Sequence, residues 1–257
     1  MRTHMAVEHK VAFITGASSG FGAAIAERLA KRGFHLVLLA RRKDRLEKLA
    51  STLATPVHMI GCDVRDEKAL RAAVAALPPE FAAVDVLVNN AGLALGLESA
   101  HETAWTDWQQ MIDTNCTAVA LLTRLILPGM VERRSGHVVM IGSVAGAYAY
   151  PGGNVYGATK AFVEQLSRNL RADVARHGVR VTHIAPGLAG GSEFSEVRFH
   201  GDREKAAQVY AGTEPLLPAD IAECIDWAIQ QPPHVNINSI ELMPSCQASG
   251  PLQVHRV

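Results

Sequence analysis

Short, nearly uninterrupted apolar runs alternate with helical patterns along the chain. Seven of these runs are predicted to be strands, at 10–16, 34–40, 57–64, 84–92, 136–143, 179–187 and 236–244. Strands this apolar need cover on both faces, and the helical segments between them supply it. The alternation therefore predicts an α/β fold, a single doubly wound domain over residues 1–257 with a seven-stranded parallel sheet and helices on both faces.

The intervening segments carry the apolar spacing and the end signals of helices. Helices are predicted at 21–33, 45–53, 66–77, 105–130, 156–178 and 218–230. Gly33 is placed to end the first of them, and Asp44 to cap the start of the second. The segment 188–215 lacks such a pattern and follows the sixth strand, at the edge where sheets of this kind bind ligands. We predict that it forms a mobile lid over the substrate, with Gly190 and Gly191 as its hinge.

The charge balance excludes several classes of partner. Lys and Arg number 25, as do Asp and Glu, so no net field favours nucleic acid, a membrane or an acidic partner. The apolar run at 118–128 is interrupted by Thr123 and Arg124 and is too short to span a bilayer. Residues 1–10, in which Met5 is an alternative start, lack the apolar stretch of a signal peptide, and we expect a cytoplasmic protein.

The cysteines and histidines give no sign of a disulfide or of a metal site. The four cysteines have no C-x-x-C spacing, and in a reducing cytoplasm we expect them to be small buried hydrophobic residues. The eleven histidines include no H-E-x-x-H motif, so no metal is expected.

The segment TGASSGFG, at 15–22, joins the first strand to the first helix. Gly16 allows a tight turn, while Gly20 and Gly22 let a pyrophosphate come close to the free N–H groups at the helix start. The spacing is G-x-x-x-G-x-G rather than the commoner G-x-G-x-x-G. A glycine-rich turn without a ligand is the alternative, but the position in the first strand–helix unit favours a dinucleotide. The predicted contacts are Gly16, Ser18, Ser19, Gly20, Phe21 and Gly22.

The end of the second strand selects between the two nicotinamide dinucleotides. A carboxylate here would bind the ribose 2′-hydroxyl of NAD, but this chain has Ala40 followed by Arg41 and Arg42. Guanidinium groups suit a 2′-phosphate, so we predict NADP as the cofactor; two solvated arginines are the alternative. After the third strand, Asp63 is predicted to bind the adenine amino group and Val64 the adenine ring, although Asp63 could instead cap a turn.

Tyr156 and Lys160 are four residues apart in a predicted helix and therefore share a face. A free phenol titrates near pH ~10, and an adjacent ammonium favours its ionised form, as would the positive nicotinamide of an oxidised cofactor. The pair is thus predicted to make Tyr156 an acid/base catalyst near neutral pH, unless it is only a surface pair. Ser143, at the end of the fifth strand, is predicted to hold the reacting oxygen.

With TGASSGFG, NNAG at 89–92, Ser143 followed by YGATK, and PG at 186–187, the chain resembles the short-chain dehydrogenase/reductase family over essentially its whole length. The resemblance implies a Rossmann fold, a homotetramer and the catalytic tetrad Asn115, Ser143, Tyr156 and Lys160. Tyr156 would be the acid/base, and Ser143 would orient and polarise the carbonyl. Lys160 would bind the nicotinamide ribose and lower the pKa of the tyrosine. Asn115 would hold a water in a proton relay, although an Asn within a helix can also simply bond locally.

The same resemblance assigns most of the remaining cofactor contacts. NADP would be lined by the residues after the fourth strand, by the catalytic helix and by the start of the predicted lid. These positions are Asn90, Ala91, Gly92, Tyr156, Lys160, Pro186, Gly187, Leu188 and Ser192.

A narrower resemblance, to the bacterial NADP-dependent 3-hydroxy acid dehydrogenases, is carried by NNAGLALG at 89–96, GGNVYGATKAF at 152–162 and the segment 184–202. The chain departs from that pattern at Ala185, in place of Glu, at Ser192, in place of Thr, and in its final residues. The resemblance implies oxidation of serine and allo-threonine and reduction of malonic semialdehyde to 3-hydroxypropionate. The alternatives are a reductase of other ketones, aldehydes or 3-oxoacyl thioesters, and a regulator that binds NADP without turnover.

A 3-hydroxy acid carries a carboxylate that a closed site must pair, because an unpaired buried charge is costly. The first basic residue of the predicted lid is Arg198, whose planar guanidinium suits a carboxylate. We therefore predict that Arg198 binds the substrate carboxylate. The alternative is that it pairs with Glu193, with Glu196 or with a neighbouring subunit.

Overall fold

A computed structural model describes residues 10–249, and its centre is one sheet of seven parallel strands. The strands are β1 Val11–Thr15, β2 His35–Ala40, β3 Val57–Gly61, β4 Val84–Asn89, β5 Gly136–Ile141, β6 Val179–Pro186 and β7 Ser239–Leu242. Their spatial order is β3-β2-β1-β4-β5-β6-β7, and every neighbouring pair is parallel. The predicted α/β fold with a seven-stranded doubly wound sheet is confirmed.

Ten α-helical segments connect the described strands. They are α1 Gly20–Lys31, α2 Lys43–Ala50, α3 Glu67–Ala75, α4 Pro79–Ala82, α5 Trp105–Ile112, α6 Ala118–Glu132, α7 Asn154–Val174, α8 Phe194–Arg198, α9 Arg203–Gln208 and α10 Pro218–Gln230. The short helices α4, α8 and α9 were not predicted; α8 and α9 lie within the predicted lid.

Alternate residues of the strands β1 to β6 enter two separate cores. Phe13 of β1 packs among side chains of α3, α6 and α7, whereas Ile14 packs among those of α1, α2 and α10. Burying a side chain of this size stabilises the fold by roughly 1.5–3 kcal/mol. Because both faces of the sheet are covered, the strands carry apolar residues at nearly every position.

The ends of several elements differ from the predictions. Asp44 is not the cap of α2: the helix begins at Lys43, and Asp44 lies in its first turn, where a negative charge interacts favourably with the helix dipole. Gly33 does end the first helix, with a φ of 81° and its N–H bonded to the Ala30 carbonyl. Strands β3 and β4 end at Gly61 and Asn89, earlier than predicted, because the chain leaves the sheet there to line a pocket.

The helix predicted over 105–130 is interrupted by one wider turn. Residues Asp113–Thr117 form a π-helical turn between α5 and α6, which we call the π-turn. Such turns are uncommon and occur frequently at functional sites. Asn115 lies on it.

The stretch Trp105–Glu132 has 28 residues and contains an 18-residue window with a mean hydropathy of 1.3, so it is long and apolar enough to cross a membrane by length and composition. Within the part of the chain that the structure describes it is the one such stretch. Leu122, Ile126 and Met130 of α6 pack in the core beneath β4 and β5. We interpret it as a core helix of the α/β fold.

The four cysteines are free thiols, and only Cys62 is buried. The expectation of burial is wrong for the other three, which are half-buried. The alternative start Met5 and the final residues that depart from the family pattern lie outside the described residues.

Candidate active site

A cavity of about 420 Å³ opens beyond the carboxyl ends of the parallel strands, where doubly wound sheets bind ligands. Almost all of the predicted site residues line it. The two that do not are Gly22 and Asn115, which lie behind its wall. The lining thus brings together the glycine loop, the arginines after β2, Ser143, Tyr156, Lys160 and Arg198.

Gly22 shapes the glycine loop from beneath. A Cβ atom on this residue would lie 2.3 Å from the Gly16 carbonyl oxygen, so only glycine allows α1 to pack against the turn. Gly16 itself has a φ of 65°, the left-handed region in which a side chain is strained. The glycines at 16, 20 and 22 therefore place no side chain between the N-terminus of α1 and the cavity, which fits the close approach of a pyrophosphate.

Arg42 lies between the glycine loop and the predicted lid. Its Nη2 atom donates to the Ser19 hydroxyl at 3.1 Å, to the Ser18 hydroxyl at 3.4 Å and to the Glu193 carboxylate at 2.6 Å. Arg45 donates to the other oxygen of Glu193 at 2.9 Å. Hydrogen bonds from these arginines, Arg42 first, lower the pKa of Glu193 to about 2. Sequence analysis missed Arg45, although it lies one helical turn beyond Arg42.

Asp63 lines the cavity but uses its carboxylate locally. Arg65 donates to it from the backbone N–H at 3.0 Å and from Nη2 at 2.8 Å. The side-chain bond from Arg65 holds the pKa of Asp63 below its usual value. The bond from the Arg65 N–H is the turn-capping alternative, and because each carboxylate oxygen can accept a further hydrogen bond, adenine binding by Asp63 stays a prediction.

Ser143 and Tyr156 meet on the floor of the cavity. Ser143 follows β5; its Oγ accepts from the Ala145 N–H at 3.1 Å and donates to the Pro186 carbonyl at 3.4 Å, and it lies near enough to the Tyr156 hydroxyl to lower the pKa of that phenol. Tyr156 is buried in a small cluster of Leu93, Met111 and neighbouring side chains. The end of β5 and the first turns of α7 thus fix both hydroxyl groups at one point.

Burial raises the pKa of Tyr156 to about 12, and the Ser143 hydrogen bond and the Arg198 charge act in the opposite direction. Arg198 is the cation that lowers this pKa in the structure, and the lowering by Lys160 stays a prediction. The Lys160 Nζ lies 5.9 Å from the centre of the Tyr156 ring and donates to the Ile141 carbonyl at 2.9 Å instead. Burial in turn lowers the pKa of Lys160 to about 8.

Asn115 is buried behind Tyr156 and Lys160 and ties three elements together. Its Oδ1 accepts from the Leu93 N–H at 2.9 Å, and its Nδ2 donates to the Leu93 carbonyl at 2.8 Å and to the Thr159 hydroxyl at 3.0 Å. These partners lie on the loop after β4 and on α7, so the alternative of a purely local bond is wrong. A Cβ atom on Gly92 would lie within 3.4 Å of both the Asn115 Oδ1 and the Lys160 Nζ, which places both groups around this glycine.

Arg198 extends from α8 towards Tyr156. Its guanidinium carbon lies 5.5 Å from the Tyr156 ring centre, its Nη2 donates to the Tyr150 hydroxyl at 2.8 Å, and its Nε donates to the Gly96 carbonyl at 3.1 Å. The structure pairs it with neither Glu193 nor Glu196. Tyr150, which sequence analysis missed, lines the cavity just before α7.

The two ends of the predicted lid are joined. The Gly190 N–H donates to the Leu216 carbonyl at 2.8 Å, and the Leu216 N–H donates to the Leu188 carbonyl at 3.0 Å. Between these bonds the segment bears Glu193 on one side of the cavity and Arg198 on the other. Among residues 10–249, no group of three or more His, Cys, Asp or Glu side chains is placed to hold a metal ion.

Comparison with known proteins gives one consistent result. A profile described as short chain dehydrogenase matches residues 10–200. The NADP-dependent 3-hydroxy acid dehydrogenase YdfG of Salmonella typhi is 51% identical over 246 residues, 96% of this chain and 99% of that protein. The serine 3-dehydrogenase of Rhizobium radiobacter is 47% identical over 243 residues, 95% of this chain and 97% of that protein.

Solved structures agree. The closed form of serine dehydrogenase complexed with NADP⁺ has a TM-score of 0.92 and 48% identity, covering 96% of this chain and 100% of that one. Serine dehydrogenase from Escherichia coli has a TM-score of 0.82 and 44% identity, covering 93% of this chain and 99% of that one.

Proposed function

The chain belongs to the short-chain dehydrogenase/reductase family, and on that premise we propose that it is an NADP-dependent oxidoreductase of short 3-hydroxy acids. The reaction interconverts the 3-hydroxy acid and the 3-oxo acid by hydride transfer. The observation that carries the proposal is the placement of one cation, Arg198, beside the catalytic phenol of Tyr156, because a 3-hydroxy acid needs both groups at once.

The residues of the cavity fit NADP. The glycine loop leaves the N-terminus of α1 accessible to a pyrophosphate, and Arg42 with the Ser18 and Ser19 hydroxyls offers donors for a 2′-phosphate. Arg41 lines the same part of the cavity. When bound, NADP supplies the hydride acceptor for oxidation, and NADPH supplies the donor for reduction.

The chain's own groups supply the proton chemistry. Ser143 donates a hydrogen bond to the reacting oxygen, and Tyr156 takes the hydroxyl proton in oxidation and returns it in reduction. Lys160 holds a positive charge beneath the ring of Tyr156, and its ammonium binds the nicotinamide ribose. Asn115 fixes the loop at Leu93 against α7, and we propose that it holds the relay water.

An absorbance assay at the nicotinamide band tests the function. We expect NADP reduction with 3-hydroxypropionate, serine and allo-threonine, and much lower kcat/KM with neutral alcohols of similar size. Higher kcat/KM with 3-oxoacyl thioesters or uncharged ketones would favour the alternative reductase. NADP binding without turnover of any substrate would favour a regulator.

Replacing Arg41 with Asp and Arg42 with Ala is expected to lower the preference for NADP over NAD by at least ~10-fold, because charge-assisted bonds contribute roughly 1.5–3 kcal/mol each. The measurement is kcat/KM with each cofactor at fixed substrate. Lys43→Ala is the matched control, since this exposed neighbour contacts only Glu47 among the described ion pairs. Equal kcat/KM values with NAD and NADP in the unmodified enzyme would contradict the role of the arginines.

Replacing Arg198 with Met is expected to raise KM for hydroxy acids by roughly ten-fold or more, since a charge-assisted pair to a carboxylate is lost. KM for a neutral alcohol of the same shape should change far less. The matched control is Arg203→Met on α9, whose side chain is exposed and lies near Glu196. Equal losses on charged and neutral substrates would show that Arg198 only supports Tyr150 and the loop at Gly96.

We further propose a cytoplasmic homotetramer, as the family resemblance implies. Two apolar side chains on different helices support an assembly: Phe162 of α7 is 40% exposed and Trp227 of α10 is 51% exposed. Light scattering should give a mass near four times that of the 27.6 kDa chain. A monomeric mass would contradict this assembly.

A further inference from the structure

A carboxylate from the predicted lid is bound at the place that selects the cofactor. Glu193, just before α8, receives hydrogen bonds from Arg42 at 2.6 Å and from Arg45 at 2.9 Å. Both arginines follow β2, and they are far from Glu193 in sequence. The contact therefore joins the lid to the end of β2, where Ala40 leaves room for a larger anion.

The same guanidinium atom serves the carboxylate and the glycine loop. Nη2 of Arg42 bonds to Glu193, Ser19 and Ser18. A carboxylate and a phosphate are both acceptor-only anions that a guanidinium binds in the same forked geometry. A second anion at this nitrogen would face the charge of Glu193 at hydrogen-bonding distance, and like charges this close repel.

We propose that Glu193 competes with the 2′-phosphate of NADP for Arg42 and Arg45, and is thereby a specificity-determining residue for the cofactor. The inference rests on the proposed use of NADP. NADP must displace Glu193 to reach the arginines, whereas NAD, which has no 2′-phosphate, leaves the contact intact. Glu193 thus weakens NADP binding more than NAD binding, and so reduces the preference of the enzyme for NADP over NAD. It also couples the phosphate to the lid, because release of Glu193 frees the start of α8.

Arg45 belongs to the phosphate site by the same reasoning. Its described ion pair is with Glu193 alone, at a side-chain exposure similar to that of Arg42. Once Glu193 is displaced, both guanidinium groups are available to the incoming phosphate. The phosphate site then consists of Arg41, of Arg42 at the start of α2 and of Arg45 within α2.

Isothermal titration with two adenosine nucleotides tests the competition without any turnover. Adenosine 2′,5′-bisphosphate and adenosine 5′-monophosphate differ only in the 2′-phosphate. In Glu193→Gln we expect the Kd of the bisphosphate to fall about five-fold, the scale of a partly exposed ion pair, while the Kd of the monophosphate stays within about two-fold. Glu196→Gln is the matched control: it removes the same charge from α8, and the carboxylate of Glu196 lies near Arg203 instead.

Four outcomes would overturn the proposal. An unchanged Kd for the bisphosphate in Glu193→Gln would show no competition, and a higher Kd would show that Glu193 holds the arginines in place for the phosphate. Equal gains in Glu193→Gln and Glu196→Gln would show a general charge effect. If the unmodified enzyme bound both nucleotides equally, the NADP assignment would itself fail and the proposal with it; the first three outcomes leave NADP preference intact.

Discussion

Replacing Tyr156 with Phe is expected to lower kcat by ~100-fold or more, while NADP still binds and the protein still folds. The substitution keeps the ring, which packs 5.8 Å from the Phe194 ring and within the cluster of Leu93 and Met111. Only the hydroxyl that exchanges a proton with the substrate is removed. Single-turnover measurements should therefore show the lower rate, while a cofactor titration should give an unchanged Kd for NADP.

The pH dependence gives a second readout of the same residue. Since burial raises the pKa of Tyr156 to about 12, the proton-accepting phenolate is a minor form at neutral pH. Oxidation should accelerate as pH rises towards about 12, whereas reduction, which needs the phenol, should stay nearly constant until the pH approaches that value. The Phe variant should lose this dependence. Tyr148→Phe is the control, because its hydroxyl bonds to Glu241 instead. A Tyr156→Phe enzyme with near-normal kcat would exclude the proposed acid/base.

Replacing Lys160 with Met is expected to damage binding and chemistry together, raising the Kd of NADP by roughly ten-fold and lowering kcat by roughly 100-fold. Methionine keeps most of the buried volume and removes the positive charge beneath Tyr156. It also leaves the Ile141 carbonyl without its donor, a loss of about 1–3 kcal/mol for a buried acceptor.

Fluorescence titration with NADP and steady-state kinetics would measure both effects of Lys160→Met, and thermal unfolding would report the cost to stability. Lys68→Met removes a charge from the exposed surface of α3 and should change none of the three. A Lys160→Met enzyme with unchanged Kd and kcat would show that the ammonium only ties α7 to β5.

The fold and most of the site follow from short-range patterns. Apolar runs and glycine signals place the strands, and strand–helix alternation brings the carboxyl ends of β1, β4, β5 and β6 to one edge. Ser143 and Tyr156 could therefore be predicted to lie close together, because Ser143 follows β5 at that edge and Tyr156 lies at the start of the next long helix. The glycine loop could be predicted because its chemistry lies within eight consecutive residues.

What could not be predicted depends on partners distant in sequence. The apolar spacing of 105–130 fits an ordinary helix and does not indicate the π-turn, on which Asn115 bonds to Leu93 and Thr159. The i, i+4 spacing predicts that Lys160 and Tyr156 share a helical face. The direction of the Lys160 ammonium, however, depends on its hydrogen bond to the Ile141 carbonyl at the end of β5.

Charged side chains with several possible partners were equally undetermined. The Asp63 carboxylate accepts hydrogen bonds from an arginine two residues away. The Glu193 carboxylate accepts them from Arg42 and Arg45 rather than from Arg198. Local sequence gives no ranking among such pairs, since each is of similar strength near the surface.

The strand order has a consequence for how the chain folds during synthesis. β1 emerges first yet lies inside the sheet, with Val11 opposite His35 on one side and Val84 on the other. Until β4 has been made, the β1 side of the nascent β1–β2–β3 sheet is an open edge, which invites pairing with other chains. Pro186 at the end of β6 lines the pocket, so the complete pocket forms only after β6 has been made. A nascent chain therefore exposes β1 to edge pairing from the completion of β3 until β4 has paired with it.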